Sequence, residues 1–141
     1  MQKYIKMATF AAGAGLVVAC TACSPETVVY GSDGAAVRAV SNEVIAEVTD
    51  SGQSAKVCAD AQVDFGNATS WDGLSAGEPE KFNGEQWGEY DSLSPTWFIN
   101  VSQSQPDEGV SGQEVPAVLF FRGDGDALCV AGVAFGTRTT S

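Results

Sequence analysis

The chain contains no histidine. That absence removes the commonest general base, the Ser-His and Cys-His nucleophile pairs, and every imidazole metal ligand. Positive charge is scarce as well: 7 Lys and Arg face 18 Asp and Glu, for a net charge of −11. Such a surface repels phosphate, which excludes nucleic-acid binding through a basic face. The apolar run from Met7 to Ala19 is shorter than the roughly 20 residues a membrane-spanning helix requires. Internal repeats are lacking, and 141 residues leave room for one modest domain.

What is present begins with an address. Met1-Gln2-Lys3-Tyr4-Ile5-Lys6 carries two positive charges and no acid, and precedes the apolar run. These are the n-region and h-region of a secretory signal. The run closes on Val17-Val18-Ala19-Cys20, which resembles the lipobox of bacterial lipoproteins: aliphatic, small or aliphatic, small, then cysteine. That resemblance implies a signal peptide over 1–19, cleavage before Cys20 and a diacylglyceryl thioether on its sulfur. The mature chain is then expected on the outer face of the cytoplasmic membrane, in the bacterial cell envelope. Two acyl chains anchor stably where one is marginal. Loss of Lys3 and Lys6 takes the net charge from −11 to −13 over the remaining 122 residues.

Export also sorts the cysteines. With Cys20 lipidated, Cys58 and Cys129 lie inside the folded region, and oxidising surroundings predict a disulfide between them. Cys23 is left over.

Residues 20–33 read as a lipidated N-terminus and tether, with Thr27-Val28-Val29-Tyr30 available as a short edge strand. Residues 34–141 form a single extracytoplasmic domain. From Gly34 to Val48 the residues Val37, Val40, Val44, Ile45 and Val48 recur as one helical stripe, with Asp33 as N-cap and Asp50-Ser51-Gly52 as the stop. Lys56 to Phe65 alternates like a half-buried strand, although this puts Cys58 on the polar side. Thr96–Ser102, Val115–Arg122 and Ala127–Phe135 are further strands, the last two joined by Gly123-Asp124-Gly125-Asp126 as a tight turn. The expected fold is α+β, one N-terminal helix with an antiparallel sheet of about four strands; the alternative is an all-β sandwich.

The stretch 66–94 shows no periodicity and sets aromatics among glycines and acids. Loops this long are uncommon inside a compact domain unless they are functional. Trp71, Trp87 and Tyr90, with Asp72, Glu85 and Glu89, are the candidate binding residues, because flat rings stack on sugar faces while carboxylates meet hydroxyls. The competing reading packs the same aromatics over one side of the sheet, each indole N–H reaching a polar partner. Paired carboxylates such as Glu85 and Glu89 have the composition of a glycosidase dyad, but such pairs are common in any acidic chain. Arg122-Gly123-Asp124 spells the tripeptide that integrins read, and sits where a turn wants Gly and Asp for backbone reasons. Asp124-x-Asp126 lacks the glycine and terminal Glu of a calcium loop. Val118-Leu119-Phe120-Phe121-Arg122-Gly123-Asp124 is similar, over seven residues, to the C-terminal strand and turn of LppP/LprE-type lipoproteins, which implies an actinobacterial source.

The expected molecule is a lipid-anchored, non-catalytic binding or accessory module without cofactor or metal, docking to a membrane protein complex. The alternative is envelope glycan bound through 66–94. Cys20→Ala is expected to move the protein from the membrane pellet to the soluble fraction on ultracentrifugation of lysed cells; an unchanged pellet overturns the anchor.

Overall fold

A computed structural model describes residues 24–103 and 112–138. Cys20, Cys23 and the lipobox lie outside them. The described chain is α+β: one long helix, α1 (Pro25–Ser51), and an antiparallel sheet of β1 (Leu74–Lys81), β2 (Trp97–Gln103), β3 (Glu114–Arg122) and β4 (Cys129–Thr137) in the order β1-β2-β3-β4.

Helix α1 starts earlier than the apolar stripe predicts. Ser24 is the N-cap, its side chain accepting from Thr27 N, and Pro25 occupies the first helical position with Glu26 behind it. That trio fits a helix start on all three counts: a hydroxyl cap, a residue without an N–H to satisfy, and an acid at the positive end of the dipole. Residues 25–30 are therefore a helical segment rather than a tether or an edge strand. Gly31, at φ 73 and ψ 173, breaks the ladder between this segment and the main helix. Side chains with a Cβ are strained at that backbone conformation, so the kink is written into the sequence. Gly52, also left-handed, ends the helix, its N–H donating to Val48 O at 2.8 Å.

Beyond the kink the expected stripe is in place. Val37, Val44, Ile45 and Val48 are buried, and Val40 packs at their margin. Ser41 lies within the same stripe, fully buried, and stays satisfied by donating to Val37 O at 2.7 Å. Each buried aliphatic side chain contributes roughly 1.5–3 kcal/mol. This face covers Ile99, Val101, Leu119, Phe121 and Val130 on one side of the sheet.

Two segments differ from the sequence reading. Lys56–Phe65 is not a strand: Val57 alone bridges to β4, parallel to Val130, and a turn closed by Ala61 N to Cys58 O at 2.9 Å breaks the extension. Freed from the polar side of a strand, Cys58 turns inward, is 5% exposed, and forms the predicted disulfide with Cys129. The fourth strand is instead β1, inside the stretch that shows no periodicity. Its Leu74-Ser75-Ala76-Gly77-Glu78-Pro79-Glu80-Lys81 offers few apolar residues because it is an edge, where charge and proline are tolerated. Helix side chains close that edge further: Asn42 Oδ1 accepts from Ala76 N at 3.4 Å and Arg38 Nε donates to Ala76 O at 3.5 Å.

The disulfide ties together residues 71 positions apart, fixing the 56–58 segment beside the start of β4. In the chain-entropy model a crosslink over that separation stabilises by ~4 kcal/mol. The Cys58→Ser/Cys129→Ser double variant is expected to lose stability of that order in urea unfolding; a midpoint unchanged from wild type sinks the assignment.

Candidate functional site

The sheet has a second apolar face, and the candidate residues divide between the two. In β2, Trp97, Ile99 and Val101 point to the helix and Phe98 points away, while in β3 Leu119 and Phe121 alternate with Val118 and Phe120. The outward set is covered by the β1–β2 connection. Lys81 and Trp97 are register partners, so the chain leaves the sheet after Lys81, folds back over it through residues 82–96 and returns opposite its departure point.

That connection is internally braced. Asn83 accepts from Glu85 N through Oδ1 at 2.9 Å, and its carbonyl accepts from Gln86 N and Trp87 N. A 3-10 turn over Gly88–Leu93 follows, and Phe82 N and Thr96 N tie the two ends to the sheet. Phe82, Trp87 and Tyr90 thereby land on Phe98, Val118, Phe120 and Ala134. Tyr90 stacks on Phe120 at 4.4 Å between centroids, and Trp87 stands edge-on to Phe98 and Phe120 at 5.7 Å each. Such pairs contribute about 0.5–1.5 kcal/mol beyond their buried area. Burial pushes the Tyr90 phenol above its usual range, with the Glu89 charge adding to it. Trp87 Nε1 is buried without a hydrogen-bond acceptor, leaving it the surrounding π faces.

Trp71 is elsewhere. It ends a 3-10 turn over Ala68–Trp71, is fully buried in the helix-side core, donates from Nε1 to Phe65 O at 2.7 Å and meets Phe65 edge-on at 5.6 Å. Asp72 caps that turn and is exposed. The six candidate binding residues therefore do not form one surface. Trp87 and Tyr90 share the outer layer, with Glu85 and Glu89 exposed beside them, whereas Trp71 and Asp72 belong to the turn packed on α1. Of the rings proposed for sugar stacking, Trp71 is buried and Tyr90 lays one face on Phe120.

The Arg-Gly-Asp tripeptide is engaged internally. Arg122 donates through both terminal nitrogens to the Asp60 carboxylate, each at 3.0 Å, and Asp124 accepts from Trp97 Nε1 at 3.2 Å. The Arg122 fork holds the Asp60 carboxyl below its ordinary value. Lys81 Nζ lies 3.6 Å from the centre of the Trp97 ring, completing a Lys–Trp–Asp stack at this end of the sheet. The connection after β3 is wider than a two-residue hairpin turn, with a 3-10 turn over Gly125–Ala127 and Arg122 opposite Cys129.

An open groove of about 520 Å³ runs between α1, the 55–57 segment and this connection. Two of its charges pair, Lys56 with Glu43 at 2.9 Å, which raises the ammonium's pKa, and Asp126 adds a further acid to the wall. Among the described residues, no three His, Cys, Asp or Glu side chains come together as a metal site. Comparison with protein-family models, with curated proteins and with solved structures finds no match.

The sequence reading missed the N-terminal segment as a feature of the surface. Its Ser24-Pro25-Glu26 start was the available signal, masked by the two glycines that follow at 31 and 34. Packing makes a quantitative distinction between the two aromatic sites. Trp71→Ala is expected to cost about 4 kcal/mol, and Trp87→Ala, at a partly buried position on the margin of its layer, about 2 kcal/mol. Thermal unfolding of the two variants reads this; a Trp87 variant as stable as wild type would mark that indole as free for a ligand.

Proposed function

We propose that the protein is a lipid-anchored, non-catalytic module that docks to a membrane protein complex on the outer face of the cytoplasmic membrane. The observation that carries this reading is where helix α1 begins. Helix α1 is capped at Ser24, four residues after the cysteine of the lipobox-like motif. Fully extended, four residues reach roughly 14 Å, and a domain of this size is roughly 35 Å across. An anchor at Cys20 thus confines the whole molecule to a layer within roughly 50 Å of the headgroups, where the outer parts of membrane proteins stand. Confinement of that kind raises the effective concentration of a weak binding surface towards such a neighbour.

Glycan binding through 66–94 draws less support. Trp71 is in the core, and the rings of Trp87 and Tyr90 are committed to Phe98 and Phe120. The net charge of −13 expected after cleavage favours a partner surface carrying positive charge.

Affinity capture from detergent-solubilised membranes is the test. A stoichiometric membrane protein is expected in the eluate, and in smaller yield when a 30-residue Gly/Ser insert between Cys23 and Ser24 lengthens the tether by roughly 30 Å. Retention on purified cell wall with no membrane partner overturns the reading in favour of glycan.

A further inference from the structure

Val28 and Val29 are the large apolar side chains left exposed among the described residues, 78% and 70% accessible. Single exposed apolar residues need no explanation. An adjacent pair on an immobilised segment is a different matter, and this segment is held at several points. Ser24 caps it through both side chain and carbonyl. Glu26, ahead of the Gly31 break, is ion-paired with Arg38, beyond it. The same guanidinium lies 5.9 Å from the centre of the Tyr30 ring and donates from Nε to Ala76 O, so one arginine joins the segment to the main helix and to β1. Gly34 permits the closest approach: a Cβ there would meet Tyr30 Cβ at 2.9 Å and the Pro79 ring at 3.2 Å. The segment is thus fixed to the body while its two valines stay in water.

The position of the pair names what covers it. Val28 is eight residues from Cys20, and the stretch outside the described residues that joins them spans at most roughly 14 Å up to the helix cap. We propose that Val28 and Val29 are the foot on which the anchored domain stands, inserted among the headgroups of the phospholipid bilayer. This inference rests on the lipid-anchor reading and adds an orientation to it. The acyl chains supply the membrane affinity, so the valines need only bias how the domain sits, a role for which a small buried apolar area suffices. Pairing with Arg38 neutralises Glu26, the carboxylate on the same turn, which lowers the cost of bringing that turn to the interface. The C-terminal end of α1, where Asp50 is exposed and charged, is left in water.

Lipidated full-length protein reconstituted into phosphatidylcholine vesicles tests this, a zwitterionic composition keeping charge repulsion out of the result. Flotation is measured first, on wild type and Cys20→Ala. Val28→Trp and Asp50→Trp place probes on exposed positions at opposite ends of α1, read as difference emission against the wild type's own tryptophans. The expected result is a blue-shifted emission from the residue-28 probe, quenched by brominated phosphatidylcholine, and an unquenched signal from the residue-50 probe. Vesicles that float with protein while the two probes quench alike overturn the foot and leave the anchor standing. Wild type that fails to float, or floats no better than Cys20→Ala, overturns the anchor and the foot with it.

Discussion

Four consecutive apolar residues, Val118-Leu119-Phe120-Phe121, run through the middle of β3, each 2% exposed or less. In an antiparallel strand neighbouring side chains point to opposite faces, so such a run demands cover on both. One layer is easily recognised, because α1 carries a valine and isoleucine stripe that fits Leu119 and Phe121. Among the described residues the other has no second helix to provide it. The chain solves this with its own β1–β2 connection, which lays Phe82, Trp87 and Tyr90 over Val118 and Phe120. A segment that looks too long and too aromatic to be a mere loop is the third layer of a small fold.

This explains what was legible in the sequence and what was not. The helix stripe, three of the four strands and the Cys58–Cys129 bridge follow from periodicity and from cysteine bookkeeping, signals carried by the residues themselves. The missing strand, β1, carries little such signal because its neighbours on one side are helix side chains rather than another strand. The false strand at 56–65 shows the reverse error. Its alternation is real, yet one bridge to Val130, a disulfide and the Asp60–Arg122 fork hold it in place, and a turn interrupts any ladder. Periodicity misplaces even some side chains here, since Cys58 is buried and Ala59 exposed, and it does not record which backbone groups find a partner. The site was less legible still. Aromatic composition in 66–94 identified residues that matter, but their division between two faces of the sheet depends on the path of the chain, which composition does not encode.

The N-terminal end of α1 links stability to location. Arg38 contacts Glu26, Tyr30 and Ala76, and so ties the first turn of α1 to the sheet across a glycine kink. On the proposed anchor, a domain joined rigidly to its first turn moves as one body with that turn. In the proposed setting, orientation relative to the bilayer would then depend on the fold as well as on the tether.

The capped edge of β1 acquires a meaning in this setting. Anchored molecules diffuse in two dimensions with a shared up-and-down axis, so exposed strand edges would meet already aligned, a condition that favours lateral polymerisation into ribbons of continuous sheet. Asn42 and Arg38 occupy the backbone groups of Ala76, and Pro79 removes a donor further along the same edge. On the opposite side of the sheet, Lys56 and Cys58 occupy Val130. On the proposed anchored surface, a protein crowded with copies of itself would thereby be kept available to a different partner.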